Sequence, residues 1–161
     1  MRVTDKYVFF YRSKEIYSNW YMSKLVVNWT EYNCSEQYMM AEKARFFGDM
    51  ETLDKIMKAV QPRDQKALGR TVKNFDAEQW NRVAKDRVYP GIRAKFEQNI
   101  MLRQSMLETG DRIFVEASPT DTIWGVGLAE EDDLILDSKN WRGTNWLGEV
   151  LTKVRDDIKK G

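Results

Sequence analysis

The residues around which this chain is organised read FVEASPTDTIWGVGL, from Phe114 to Leu128. Apolar residues alternate at the start of this stretch, which predicts a strand with one buried face and with Glu116 on the opposite face. Two glycines follow Trp124, so backbone can come close to a neighbouring group, and we expect the indole face to be uncovered. We therefore predict a strand, a tight turn and a second strand, which together leave space for a ligand.

The composition is that of one soluble domain. The 161 residues suffice for a single domain whose core needs no disulfide or metal. Lys and Arg number 26 against 25 Asp and Glu, a formal charge of +1, so the whole-chain charge indicates neither a nucleic-acid nor a membrane partner. The sequence shows no apolar signal run and no apolar stretch long enough for a bilayer, and we expect a cytoplasmic protein.

The residue types exclude several kinds of catalytic site. The chain has no histidine and a single cysteine, Cys34, which rules out the usual zinc ligand sets and the Ser-His-Asp and Cys-His arrangements. Neither a GxGxxG pattern nor a P-loop is present, and we expect no cofactor and no metal. Catalysis therefore has to use carboxylates, lysines, hydroxyls, amides or water.

The amino-terminal part of the chain predicts two strands. Tyr7–Tyr11 (YVFFY) and Leu25–Trp29 (LVVNW) are rich in aromatic and β-branched residues, and we expect them to form a hairpin-like pair. Ser18 and Asn19 lie in the connection, where short polar side chains commonly bond local backbone. That turn role is favoured for Ser18, whereas Asn19, next to Trp20, is equally suited to contact a ligand.

After Ser35 the sequence pattern changes from a strand-like to a helix-like period. This predicts a helix with Ser35 as N-cap and Gly48 as the C-terminal stop. Glu36 and Lys43 fall on one face of it. Glu36 then either supplies a favourable first-turn charge beside a solvated Lys43, or both side chains enter a pocket as an acid/base pair or as ligand clamps. On this segment alone the surface interpretation is favoured.

Helices are predicted for most of the remaining chain. They run over Asp49–Val60, from Pro62 to Gly69 and Arg70, from Asp76 to an interruption at Tyr89-Pro90-Gly91, from Ile92 to Thr109 and Gly110, and over Asn145–Ile158. The acidic run Glu130–Asp133 is expected to be an exposed loop.

Two of these helices carry signals of an anionic ligand. Lys66 and Arg70 lie four residues apart, so their like charges favour either a phosphate or carboxylate partner or a solvated surface. Trp141, Arg142 and Gly143 precede the last helix, and free backbone N–H groups at its start are expected to offer a site for an anion.

In chain order, these signals resemble the NADAR family, also called YbiA-like. The resemblance covers nearly the whole chain and is carried by the segments Ser18-Asn19-Trp20, Ser35-Glu36-Gln37-Tyr38 with Lys43, Lys66–Arg70 (KALGR), Trp80, Lys95-Phe96, Thr109-Gly110-Asp111, Glu116-Ala117-Ser118, Asp121–Gly127 (DTIWGVG) and Trp141–Gly148 (WRGTNWLG).

The resemblance implies a predominantly helical α+β fold with a small sheet, over residues 1–161 as a single domain. It also implies N-glycosidase chemistry on ribosylated nitrogen compounds. Similar members hydrolyse early intermediates of the riboflavin pathway, and others are linked to NAD and ADP-ribose, including removal of ADP-ribose from guanine. The family often has phenylalanine at Trp20, histidine at Gln37 and glutamine at Met40, and these departures bear on the substrate more than on the reaction class.

Cleavage of a C1′–N bond develops positive charge on the sugar, which calls for a nearby carboxylate. With the resemblance in hand, Glu36 is the predicted catalytic carboxylate. Asp121 or Glu116 is the second acid, with Glu116 orienting the ribose hydroxyls. Lys43 or Lys66 either binds phosphate or, if burial lowers its pKa, attacks the opened sugar to form a Schiff base.

The predicted ligand contacts involve aromatic rings, cations and backbone. Trp20 and Trp124 are expected to stack on the base, and the other substrate-binding residues are Asn19, Lys66, Arg70, Glu116, Gly143 and Asn145. The expected partner is a small ribosylated compound. Two alternatives stay open: a sensor that binds NAD or ADP-ribose without turnover, and an ADP-ribosylated nucleic acid whose modified base is extruded into the pocket beside a basic rim.

Overall fold

Helices carry most of the regular structure, and two small sheets complete an α+β fold. The computed structural model describes residues 1–161. In chain order the elements are β1 (Arg2–Val3), β2 (Tyr7–Phe10), β3 (Leu25–Val27), β4 (Thr30–Tyr32), α1 (Ser35–Phe46), α2 (Met50–Lys58), α3 (Pro62–Gly69), α4 (Ala77–Glu97), α5 (Ile100–Glu108), β5 (Ile113–Glu116) and α6 (Trp146–Lys159). Short 3-10 helices cover Asp133–Leu136 and Ser138–Asn140.

The residues form two compact units. The first unit comprises residues 1–18 and 100–161, and it contains the three-stranded sheet in the order β1-β2-β5 together with α5 and α6. The second unit comprises residues 19–99. In it the β3-β4 hairpin contacts α1 and α4, and α1 packs against the other three helices.

Helix starts in the second unit follow the local sequence signals. Asp49 caps α2 by accepting the Thr52 N–H at 3.1 Å, and Asp76 caps α4 by accepting the Gln79 N–H at 2.9 Å. Pro62 is the first residue of α3, a position whose N–H has no partner within the helix, so the missing N–H of proline costs no hydrogen bond. These predicted starts are confirmed, whereas the N-cap of α1 is Cys34, one residue earlier than predicted.

The predicted interruption at Pro90 is wrong, because α4 runs through it from Ala77 to Glu97. Val88 and Ile92, on either side of the proline, are almost completely buried. Tertiary packing of this apolar face supplies more stability than the one backbone hydrogen bond that Pro90 removes. The chain breaks instead between α4 and α5, at residues 98 and 99.

The predicted pairing of the first two strands is also wrong. β2 pairs in parallel with β5, with Tyr7 opposite Ile113 and Phe10 opposite Glu116. β3 pairs with its sequence neighbour β4 in an antiparallel hairpin. Parallel pairing of β2 with a strand about 100 residues away leaves no local sequence signal, which is why pattern reasoning missed it.

Two smaller expectations about exposure need correction. The helix predicted over Asp49–Val60 ends at Lys58, and Val60, expected in its last turn, is 64% exposed. Within the acidic run, Glu130 is buried rather than exposed, because its carboxylate pairs with Arg12 at 2.5 Å and lies 3.6 Å from the amino terminus. A carboxylate with two cationic partners tolerates burial that a solvated loop residue does not.

Trp29 occupies an unfavourable place at the tip of the β3-β4 hairpin. The two turn residues, Asn28 and Trp29, have φ of 49° and 67°, a region that suits glycine or asparagine and strains a bulky residue. The Trp29 side chain is 100% exposed, so its indole contributes no burial.

We therefore expect Trp29→Gly to raise the free energy of unfolding by about 1 kcal/mol, as measured by urea denaturation. Trp29→Ala keeps the strained φ and is the matched control, with an expected change close to zero. A loss of stability in Trp29→Gly would show that the indole makes contacts in solution that offset the backbone strain.

Candidate active site

The first turn of α1 is held by Asn19. The Glu36 N–H donates to the Asn19 carbonyl at 3.0 Å, and the Ser35 hydroxyl donates to the Asn19 side-chain oxygen at 2.9 Å. Glu36 is only 5% exposed and lies in the first turn of α1, at the positive end of the helix dipole. The structure thus places Asn19, predicted as a turn or ligand residue, where it positions the predicted catalytic carboxylate.

Lys43 lies in an electrostatic environment shared with Glu36 and Arg70. Burial lowers the pKa of the half-buried Lys43 amine, the charge of Glu36 opposes this effect, and the charge of Arg70 lowers the pKa further. The Lys43 Nζ also lies 4.4 Å from the centre of the Phe75 ring. The structure therefore places Lys43 within electrostatic range of two other predicted site residues, the Glu36 carboxylate and the Arg70 guanidinium.

A second predicted pair lies in the same unit. The Nζ of Lys66 is 5.8 Å from the centre of the Trp20 ring, within the range of a cation–π contact. Both side chains are partly exposed, and Arg70 follows Lys66 by one helical turn at the end of α3. Lys66 and Trp20 thus form a partly exposed pair of one cation and one aromatic ring.

Lys95 is a buried cation that the residue assignments from sequence omitted. Its side chain is 1% exposed, with Nζ 5.5 Å from the Tyr21 ring centre and 5.2 Å from the Phe96 ring centre. Burial lowers the pKa of Lys95 to about 7, and the charge of Cys34 opposes this effect. A sequence signal existed, because Lys95 falls seven residues after Val88, on the buried face of α4.

The pH dependence of stability should reveal Lys95. Its folded-state pKa of about 7 lies below the ordinary value of 10.5, so between these values the unfolded chain binds more protons and stability rises with pH. We expect Lys95→Met to remove a rise on the order of 2 kcal/mol between pH 7 and pH 9, measured by denaturation at each pH. Above pH 9 the buried Cys34 thiol acts in the opposite direction, because burial raises its pKa to about 11.

Lys55→Met is the control for this experiment, since Lys55 is 58% exposed on α2. An equal slope of stability against pH in wild type and Lys95→Met would contradict the inferred proton release.

In the first unit, the predicted second strand after β5 is absent. Residues 117–128 form an irregular, bending segment instead. Asp121 fixes one turn within it, because its Oδ1 accepts the N–H groups of Ile123 at 2.8 Å and Trp124 at 2.9 Å. The other carboxylate oxygen of Asp121 takes no part in this turn. Asp and Asn commonly hold turns in this way, which is the signal that the strand prediction overlooked.

The start of α6 is not a free anion site, contrary to the prediction. The N–H groups of Trp146 and Leu147 donate to the carbonyls of Ile123 and Trp124, both at 3.1 Å. The turn at residues 122–125 thus satisfies two of the backbone groups that an anion would need.

Gly143 permits this close approach of two backbone segments. A Cβ at Gly143 would overlap the Gly125 carbonyl and the backbone of Thr122. The glycine predicted as a ligand-binding position therefore has a packing role: it lets the turn at residues 122–125 lie against the residues before α6.

The Asn145 side chain completes the edge of the sheet. Its Oδ1 accepts the Glu116 N–H at 3.0 Å and its Nδ2 donates to the Phe114 carbonyl at 2.9 Å. Asn145 is 5% exposed and has a φ of 54°. One amide group thus takes the place of a neighbouring strand beside β5, and it fixes the backbone of Glu116.

Trp124 is partly buried and packs on Trp146. Their ring centres are 5.6 Å apart with planes at 88°. The expectation of an uncovered indole is therefore corrected: the Trp124 ring is held by an aromatic neighbour, in an edge-to-face geometry.

Comparison with known proteins identifies the family. Residues 9–159 match the NADAR domain. The chain belongs to the NADAR domain family. This membership confirms the resemblance that the motifs indicate when they are taken in chain order.

Three NADAR relatives were compared. An N-glycosidase of Acanthamoeba polyphaga mimivirus is 42% identical, over 96% of this chain and 97% of that protein. The NMR structure of the E. coli protein YbiA matches with a TM-score of 0.79 and 25% identity, covering 99% of this chain and 88% of that chain. A riboflavin biosynthesis protein of Vibrio vulnificus is 26% identical over 98% of this chain and 40% of that protein.

These relatives confirm the α+β fold and place the chain among the N-glycosyl hydrolases. None of the helices is both long enough and apolar enough to span a membrane.

Proposed function

We propose that this NADAR protein hydrolyses the N-glycosidic bond of a phosphorylated ribosyl compound, such as an early riboflavin intermediate or guanine that carries ADP-ribose. The reaction class follows from the family. The riboflavin biosynthesis protein of Vibrio vulnificus supports the first substrate, since nearly the whole of this chain is similar to part of it. The cations Lys43 and Arg70 support a phosphate on the substrate, because each of them attracts an anion.

One observation carries this proposal: the buried Glu36 carboxylate acts electrostatically on Lys43, a lysine whose pKa is lowered by burial. Perturbed ionisable groups that interact with each other are typical of catalytic sites. In the proposed reaction the C1′–N bond breaks, its electron pair leaves with the nitrogen, and Glu36 stabilises the positive charge on the sugar. Water supplies the new hydroxyl group at C1′, and the proton that this water loses balances the proton that the departing nitrogen takes up.

Lys43 has two proposed roles, which differ in its protonation state. As an ammonium it binds the phosphate together with Arg70. As a free amine it attacks C1′ of the ring-opened sugar, where the substrate nitrogen is held as an imine. That nitrogen leaves as the free amine, the lysine stays bound to C1′ as a Schiff base, and water hydrolyses this Schiff base. The lowered pKa of Lys43 increases the fraction of free amine near neutral pH and supports the second role.

Reduction with borohydride during turnover separates these routes. The amine route predicts a sugar adduct on Lys43, or on Lys66, detected by peptide mass spectrometry. Lys43→Arg keeps the positive charge without the nucleophilic amine and is the matched variant. An adduct-free protein under working turnover would leave direct attack by water as the route.

The substrate is tested with a panel of riboflavin intermediates, NAD, ADP-ribose and ADP-ribosylated DNA, with products identified by mass spectrometry. Release of a free base or amine from one compound supports hydrolysis. Binding without release would favour a sensor. Activity on DNA that falls steeply with salt would favour the nucleic-acid substrate, for which Arg63, Lys66, Arg70 and Lys73 are the proposed basic rim.

The ligand contacts in the first unit are proposed separately. Asp121 has a carboxylate oxygen outside its turn, which supports a role in acid/base catalysis or in binding a ribose hydroxyl. Trp124 presents a partly exposed ring that is held in place. Asp121→Asn keeps the acceptor for the turn and removes the charge, so a fall in kcat without loss of stability would support the catalytic role.

A further inference from the structure

Phe75 lies in the segment between α3 and α4 and contacts Lys43. Its ring is 44% exposed, and the Lys43 Nζ lies 4.4 Å from the ring centre. The same ring packs edge-to-face on Phe47 at 5.4 Å. Lys43 and Phe47 are four residues apart and lie on the same side of α1. Phe75 therefore contacts the site lysine and the residue one turn beyond it.

The backbone around Phe75 is fixed on both sides. The Asp49 carboxylate accepts the Lys73 N–H at 2.9 Å, which ties the segment to the start of α2. Asn74 has a φ of 62°, and Asp76 is the N-cap of α4. These backbone contacts hold the segment that carries Phe75, and they therefore fix where its ring can lie.

The charged groups that act on Lys43 are Glu36 on its own helix and Arg70 at the end of α3. Burial and Arg70 both disfavour the ammonium form, whereas Glu36 favours it. The face of an aromatic ring is electron-rich and adds a further attraction for the ammonium. Phe75 therefore acts in the same sense as Glu36, and from a different direction.

We propose that Phe75 is a positioning residue for the N-glycosidase reaction, because its ring holds the Lys43 ammonium in place and keeps it protonated beside Glu36 and Arg70. This inference rests on the proposed function in one respect, the participation of Lys43 in its ammonium form. Phe75 itself contacts Lys43 and acts on the reaction through it. No bond is made or broken in this role.

The test compares Phe75→Leu, which removes the ring, with Phe75→Tyr, which keeps it. The pKa of Lys43 is measured by NMR on lysine labelled at the side chain, and kcat and KM are measured over the same pH range. We expect the pKa in Phe75→Leu to fall by about one pH unit. The limb of the pH–rate profile that titrates with Lys43 should move to lower pH by the same amount, and Phe75→Tyr should keep the wild-type pKa.

The outcomes distinguish the two proposals. A Lys43 pKa that is unchanged in Phe75→Leu overturns the positioning role, whatever the activity. A pKa that falls while the pH–rate profile stays in place leaves the contact intact and removes Lys43 from the reaction, which overturns the participation of Lys43. Phe47→Leu removes the aromatic packing on Phe75 while the Lys43 contact remains, so an equal shift in that variant would assign the effect to packing.

Discussion

Glu36→Gln is expected to reduce turnover by about 100-fold or more while the fold is retained. The amide is nearly the same size as the carboxylate and keeps its place in the first turn of α1, but it cannot stabilise the positive charge that develops on the sugar. The measurement is kcat on the substrate found in the panel, with circular dichroism to show that the helices are unchanged. The effect should fall on kcat more than on KM, because the charge arises in the transition state.

Glu51→Gln is a matched control. Glu51 is the second residue of α2, as Glu36 is the second residue of α1, so both lie in the same field of a helix N-terminus. The Glu51 side chain is 68% exposed and pairs with lysines. Glu51→Gln should therefore leave turnover close to wild type. If Glu36→Gln were equally active, the buried carboxylate would have only a structural role.

Asn145→Ala should lower the free energy of unfolding by about 3 kcal/mol. The substitution leaves the N–H of Glu116 and the carbonyl of Phe114 without their partner at the edge of the sheet. Alanine also adopts a φ of 54° less readily than asparagine. For a chain of this size the loss corresponds to a fall of roughly 10 °C in the melting temperature, measured by calorimetry.

Two variants divide this effect into its parts. Asn145→Gly relieves the backbone strain but still lacks the amide, so it should remain well below wild type. Asn140→Ala removes an exposed amide that donates to the Leu134 carbonyl at 3.0 Å, and it should change stability little. If Asn145→Ala were as stable as wild type and only KM rose, the ligand-binding role predicted from the sequence would be favoured over the structural one.

Local signals in the sequence were enough to predict the starts of α2, α3 and α4. Asp49, Pro62 and Asp76 each act on backbone groups within one turn, so the sequence alone shows what they do. The link between Glu36 and Lys43 was also visible, because residues seven apart share a helix face. Glu36 is buried and Lys43 is half-buried, so the favoured surface interpretation of this face is wrong, and the catalytic roles of the two residues are proposals.

The features that escaped prediction depend on distant parts of the chain. The partner of β2 is β5, and the continuity of α4 through Pro90 depends on burial of its neighbours. The position of Lys95 on the apolar face of its helix indicated burial, but a lysine is almost never fully buried, so its residue type indicated the surface. Asn145 looked like a ligand residue because a polar side chain before a helix often binds one, whereas here it takes the place of a strand.

The hydrogen bonds between the turn at residues 122–125 and the start of α6 have a dynamic consequence. The turn cannot move away from the helix without exposing the N–H groups of Trp146 and Leu147 to water. These two amides are therefore internal reporters, whose rate of hydrogen exchange measures how often the segment that carries Asp121 opens. A ligand that binds this segment in its closed form would slow their exchange, so binding can be followed there without any substitution in the site.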